Sequence, residues 1–241
     1  PFEAARLGCD VYASDLNPVA CMLTWGAFNI VGSPAAEQKK LEVAQQELVK
    51  RVQDEIDHLG IETDGKGWKA KAYLYCAEVR CPQTGWMVPL LPSRVISKLK
   101  HTIAELVPDI KNKRYEIIIR SDASEKQLKE ASNGTVIRES RFGDASLVHQ
   151  VDGISYKTKI STLRGDYEMS DGTTANHVRS WEKQEFKPKP DDIFQERLYA
   201  VQWTRPNING GRDASEFRSV YDDDIEREGI VEKFLTEHFT E

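Results

Sequence analysis

The sequence predicts an α/β chain in which part of a βαβ unit leads into a large β-rich insertion. Three observations carry that expectation. The run from Gly8 to Pro18 reads as a helix end, a tight turn, a short apolar strand and an acidic residue at its tip, and a new helix begins there. A long stretch with helical apolar spacing follows. From Gly65 onward the pattern turns to alternation punctuated by Gly, Asn and Asp pairs.

In order, Pro1 to Leu7 is read as a short helix, with Gly8 free to take the left-handed C-terminal cap. Val11 to Ser14 is a strand. Pro18 to Phe28 is the next helix, capped by Asn17 or Asp15. Gly32-Ser33-Pro34 breaks the pattern. Ala36 to Leu59 then places Leu41, Ala44, Leu48, Val52, Ile56 and Leu59 on one face of an amphipathic helix. Strands are expected at Lys69 to Arg80, Trp86 to Leu91, Tyr115 to Arg120, Thr135 to Glu139 and Ile154 to Ile160. Lys187 to Asp192 (KPKPDD) is a stiff connector. Leu198 to Trp203 is a return strand, residues 206–212 a flexible loop, and Asp223 to Phe239 a final helix. The expected domains are 1–64, 65–190 and 191–241.

Composition sets the broad class. The 241 residues are 39% hydrophobic and 30% charged, which suits a folded, water-soluble chain rather than a disordered one. No apolar run is long enough for a membrane span, and the first residues lack the basic and apolar regions of a signal peptide. The cysteines are Cys9, Cys21, Cys76 and Cys81. Without a secretory signal they are expected to be reduced thiols in the cytoplasm rather than a disulfide framework. The formal charge is −6, and it is uneven: Asp213 to Glu241 holds ten acids against three bases. That end reads as a solvated helix face. Overall acidity argues against nonspecific coating of nucleic acid but leaves room for a local basic face.

Asp15 is the chief candidate site residue. An acid at the tip of the second strand of such a unit can accept hydrogen bonds from both hydroxyls of a ribose. Leu16 would lie against an adenine ring, and Asn17 would start the helix that closes the site. The alternative is that Asp15 only caps that helix. Spacing does not choose among nicotinamide, flavin and S-adenosylmethionine.

The wording of the segments goes further. Phe2 to Val11 (FEAARLGCDV) and Asp15 to Ala20 (DLNPVA) resemble class I S-adenosylmethionine-dependent methyltransferases. Cys81-Pro82-Gln83-Thr84-Gly85, Val88 to Pro92 (VPLLP), Ile160 to Gly165 (ISTLRG), Gln195 to Tyr199 (QERLY) and Gln202-Trp203 extend the likeness. Together they resemble adenine-specific DNA methylases that contain a zinc ribbon, some of them associated with anti-phage defence. The resemblance implies a partial Rossmann-like unit with a degenerate zinc-ribbon-like insertion, as an interior piece of a longer protein. It implies S-adenosylmethionine as cofactor, held by Asp15, Leu16 and Asn17. The implied partners are double-stranded DNA and other defence-system proteins, with methyl transfer to an exocyclic amine, adenine N6.

Two departures limit what is carried over. The glycine-rich cofactor loop would lie before Pro1. The chain also has no Pro-Pro dipeptide, so the [Asp/Asn/Ser]-Pro-Pro-aromatic element that grips the target amine is missing, and no catalytic residue is assigned. This stretch by itself is expected to bind the cofactor poorly and not to methylate. The ribbon is reduced as well. Thr84 stands where Cys81 would have its partner, no cysteine follows Cys81, and His101, His149 and His177 show no ligand spacing, so no metal is expected.

Candidate DNA contacts, with an ordinary solvated surface as the alternative reading, are Lys98, Lys100, Lys111, Lys113, Arg114 and Arg120. A second set is Lys157, Lys159, Arg164 and Arg179, with Tyr156 and Trp181. Trp86 and Trp203 read as core. Two other classes stay open: a nicotinamide-dependent oxidoreductase, and a non-enzymatic DNA-binding or assembly module. With no neighbour for its first strand, Leu16, Cys21, Leu23 and Trp25 would be partly exposed and residues 1–60 marginally stable.

Overall fold

The computed structural model describes residues 1–141 and 143–239 of a mixed α/β chain. It divides into two compact units, residues 1–59 and 60–241. The boundary expected at 64 falls close to this division. Strands on both sides of the boundary expected at 190 pair within one sheet.

In the first unit α1 (Phe2–Arg6) stops at Leu7, and Gly8 takes φ +84° just beyond it. Residues 9–15 take no regular secondary structure. The strand expected at Val11 to Ser14 is therefore absent, because no neighbouring strand stands beside it to supply a ladder. α2 (Pro18–Gly26) starts where the Asn17 side chain accepts a hydrogen bond from the Val19 amide, and it runs into a π-helical turn over Ala27–Val31. α3 (Ala35–Leu59) is the long amphipathic helix. Phe2 and Phe28 stack at 4.7 Å, yet no residue of this unit is buried. Tyr12 and Leu16 are fully exposed, and Leu23 and Trp25 are more than half exposed.

The second unit is built on β1 (Lys69–Arg80), β2 (Met87–Pro89), β3 (Val95–Ser97), β4 (Thr102–Asp109) and β5 (Arg114–Arg120). There follow α4 (Glu125–Ala131), β6 (Val136–Arg138), β7 (Ala145–Val151), β8 (Ile154–Lys159) and α5 (Ile160–Arg164). A two-stranded ribbon pairs β9 (Tyr167–Glu168) with β10 (Thr174–Ala175). The chain closes with β11 (Phe194–Arg205), β12 (Ala214–Ser219) and α6 (Asp222–Phe239). The main sheet has seven strands in the order β12-β11-β1-β2-β5-β4-β3. It is mostly antiparallel, and β2 with β5 is its parallel pair. The return strand β11 pairs with β1 along most of its length, from Lys69 opposite Thr204 to Val79 opposite Phe194. Segments 65–190 and 191–241 thus share one sheet. A parallel Rossmann-type sheet is not formed.

A second sheet, β6-β7-β8, packs against the first through one apolar cluster. It joins Val79, Cys81, Trp86 and Val88 with Tyr115, Leu147 and Leu163. Burying such side chains contributes about 1.5–3 kcal/mol each. The two sheets are also clamped through Thr135, whose amide donates to the Leu91 carbonyl at 2.7 Å and whose hydroxyl accepts from the Leu91 amide at 2.9 Å. Gly134 permits this approach: a Cβ there would stand 1.7 Å from the Leu91 carbonyl oxygen.

Across the main sheet, buried Glu78 of β1 accepts from Arg197 of β11 at 2.8 Å and faces Arg114 of β5 at 3.4 Å. Arg197 also donates to the Tyr115 carbonyl. Among the described residues no helix is long and apolar enough to cross a membrane.

Two stability predictions follow from this packing. Gly134→Ala must push two backbones apart and is expected to cost about 2–3 kcal/mol, read as a lower urea midpoint at unchanged slope. An unchanged midpoint would mean that the close approach is not needed. In limited proteolysis of the 241-residue chain, cuts within 1–59 are expected before any within 60–241, because the first unit has no core. Equal protection of the two would contradict this.

Candidate functional site

Asp15 lies between irregular segment 9–15 and the start of α2. One carboxylate oxygen accepts from the Asn17 amide at 2.8 Å, and the Asn17 side chain in turn caps the helix. The cap is therefore Asn17, and the second carboxylate oxygen of Asp15 is left for an outside donor. A cavity of about 650 Å³ opens beside it, lined by Tyr12, Ser14, Asp15, Cys21 and Trp25 among others. Leu16 is fully exposed. Beside the cavity stand one carboxylate, with one oxygen taken by a backbone amide, and an aromatic wall that includes Tyr12 and Trp25. Leu16 and Asn17 do not line this cavity themselves.

Cys81 to Gly85 forms a tight hydrogen-bonded turn, called the knuckle below. Cys81 and Trp86 are joined by an amide-to-carbonyl bond of 2.8 Å, as are Gly85 and Cys81, and Gly85 takes φ +75°. The donors do not fit a metal. Cys81 is fully buried in the core, and the Thr84 hydroxyl lies 3.3 Å from Nε2 of His149. Nδ1 of His149 lies 3.3 Å from the Tyr115 hydroxyl, which donates to the Gln150 carbonyl. Cys76 belongs to a different apolar cluster, with Leu91, Ala104 and Ile117, and burial pushes its thiol up to about 12. Among the described residues no group of three or more His, Cys, Asp or Glu side chains could hold a metal ion. Sequence spacing gave no sign of the pairing between His149 and Thr84, 65 residues apart.

The basic residues expected to face DNA are not gathered into one face. Arg120 pairs with Glu105 at 2.7 Å, Lys157 with Glu139, Arg164 with Asp166 and Arg114 with Glu78. Arg179 is held by both Glu185 and Asp192, and Lys100 donates to the Ser215 carbonyl. Lys98 and Lys111 lie near opposite ends of the β3–β4–β5 region, Lys98 beyond β3 and Lys111 in the β4–β5 turn with Lys113. One junction does form: Met87 opposite Arg114 and a bond from Gln83 to the Lys157 carbonyl bring the knuckle, β5 and β8 together.

Sequence reasoning overlooked a cation–π series. Arg205 lies 4.8 Å from the Trp68 ring, Arg218 lies 4.8 Å from Trp68 and 5.2 Å from Trp203, and Arg227 lies 5.3 Å from Trp203. Asp64 and Glu216 hold Arg218, and Asp224 holds Arg227. The series fastens the start of α6 to the β11–β12 hairpin. Trp203 and Trp86 are buried, as expected.

Comparison of the chain with protein-family models, with curated proteins and with solved structures finds no match in any of the three.

Burial holds the His149 imidazole below its ordinary value of 6.5, so the folded state keeps it neutral. Below about pH 6.5 the unfolded chain takes up the proton first, and stability is lost as pH falls through that range. His149→Gln can keep contacts to Thr84 and Tyr115 without this proton linkage. The urea midpoint of the native chain is therefore expected to drop more between pH 7 and pH 5 than that of the variant. Parallel curves would show that His149 titrates normally in the fold.

Proposed function

We propose that this chain is part of a DNA amino-methyltransferase that uses S-adenosylmethionine. The observation that carries the reading is the Asp15 carboxylate, fixed on one oxygen by the Asn17 amide at 2.8 Å and open on the other, beside a cavity of about 650 Å³. It is supported by the likeness of residues 2–20 and of the later segments to adenine-specific DNA methylases. On this reading, residues 1–59 supply the helix–strand–helix half of a Rossmann-like sheet, and segment 11–14 becomes a strand when its neighbours are beside it. Residues 60–241 are a body that positions double-stranded DNA, with a ribbon fold held by core packing.

The residues present divide the work simply. Asp15 accepts the hydroxyls of the cofactor ribose, Asn17 fixes the helix start that sets the position of Asp15, and Leu16, which lies outside the cavity lining, comes to the adenine once segment 11–14 is a strand. S-adenosylmethionine supplies an activated methyl group on a sulfonium, and the acceptor is an exocyclic amine of DNA, adenine N6. Because such a displacement needs alignment above all, the protein's contribution is positioning. The compartment that fits this activity and the free thiols is the cytoplasm.

The test uses the product of the complete open reading frame. Asp15→Ala is expected to weaken S-adenosylmethionine binding about 10- to 100-fold, the worth of hydrogen bonds to a charged group, with duplex DNA affinity unchanged. Equal affinity in the variant would remove Asp15 from the site. Binding of NADH but not of S-adenosylmethionine by the native protein would turn the reading to the oxidoreductase class.

A further inference from the structure

A second cavity, of about 450 Å³, lies wholly within residues 60–241 between β11, the start of α6 and the connector at Lys187-Pro188. Its lining has two electrical poles. At one, Arg114 and Arg197 share a single carboxylate, that of Glu78, whose side chain is 5% exposed. Two guanidiniums against one carboxylate leave an excess of one positive charge. Among the described residues the Arg197 hydrogen bonds are both made by Nη1, to Glu78 and to the Tyr115 carbonyl. The buried Nε of Arg114 lacks a partner. Buried donors without partners are uncommon in folded proteins.

At the other pole are Glu196, Asp222 and Glu228. Lys187 meets Glu228 only at 3.9 Å and gives its closer contact, 2.7 Å, to Glu232. Tyr75 also bonds Glu228, and together with burial this pushes the phenol well up. Glu196 and Asp222 are exposed and line the cavity together with Lys187. Between the poles the wall is Ile117, Tyr199, Tyr221 and Ile225.

An anion alone would answer the arginine pole and be repelled by the three acids. A DNA backbone, with a charge at every phosphate, would be repelled along the acidic start of α6, where Asp222, Asp223 and Asp224 follow one another. A cation alone would leave the guanidiniums unmatched. A small molecule carrying both charges answers both poles, and 450 Å³ lies in the usual range for such sites. We propose that this cavity binds a free amino acid or a close zwitterionic relative. Its carboxylate takes the fork of Arg197 and Arg114, its ammonium faces Glu196, Asp222 and Glu228, and its side chain lies between the tyrosines. The proposal is independent of the methyltransferase reading, since it draws only on residues 60–241.

The experiment is a calorimetric and saturation-transfer NMR screen of the 241-residue chain against the free L-amino acids. The best binder is then compared with its carboxamide and its N-acetyl form. The zwitterion is expected to bind at least 10-fold more tightly than either derivative. Glu196→Gln, an exposed position outside the core, is expected to weaken the zwitterion several-fold and leave the N-acetyl form unaffected. Arg197→Lys keeps the charge but not the fork, and is expected to weaken the zwitterion and the N-acetyl form alike. No binding by any amino acid, equal binding of all three forms, or a Glu196→Gln variant indistinguishable from the native chain would each overturn the proposal.

Discussion

The second unit depends on how one carboxylate is kept out of water. Glu78 lies in the middle of the main sheet, and a lone charge there would cost several kcal/mol. It is held because Arg114 and Arg197 arrive from β5 and β11, 36 and 119 residues away in the chain. The three strands must therefore be in register before the charge is compensated, and a slip of one residue would send the arginines to the other face. The same residues form the basic wall of the 450 Å³ cavity. The interaction that ties these strands together also sets the polarity of that cavity's wall.

The sequence was readable where structure is local. The 3.6-residue period of α3, the alternation of β1 and the glycines after α1 and α3 all predicted the observed elements. The capping box of α4, Ser124 with Gln127, was present in the sequence and went unread. Strands β4, β7 and β12 were missed because Glu105, Pro108, His149, Gln150, Glu216 and Arg218 interrupt the apolar pattern. Three of them, Glu105, His149 and Arg218, are answered by partners 15, 65 and 154 residues away, and no window of neighbours shows that. The strand expected at 11–14 failed for the opposite reason: its residues suit a strand, but a strand is a property of a pair.

The sites divide in the same way. The contact of Asp15 with Asn17 and the cap by Asn17 could be read because they are made within two residues of each other. The fate of the basic residues could not. Arg120, Lys157, Arg164 and Arg179 look like a charged surface in the sequence, and each is neutralised by a carboxylate that folding brings to it. The Thr84, His149 and Tyr115 contacts tie the Cys81–Gly85 turn to β5 and β7 without any thiolate.

The pairing of β1 with β11 also bears on how the chain is made. β1 is complete early, and its partner along most of its length is the eleventh strand. With Glu78 and Arg197 separated by 119 residues, a ribosome adding about 5–20 residues per second needs roughly 6–24 s to deliver the partner. During that interval a twelve-residue strand presents an open edge to the cell. The nascent chain is thus a natural client for chaperones, and synonymous codon changes that slow translation between β1 and β11 would lengthen its exposure without altering one residue of the product.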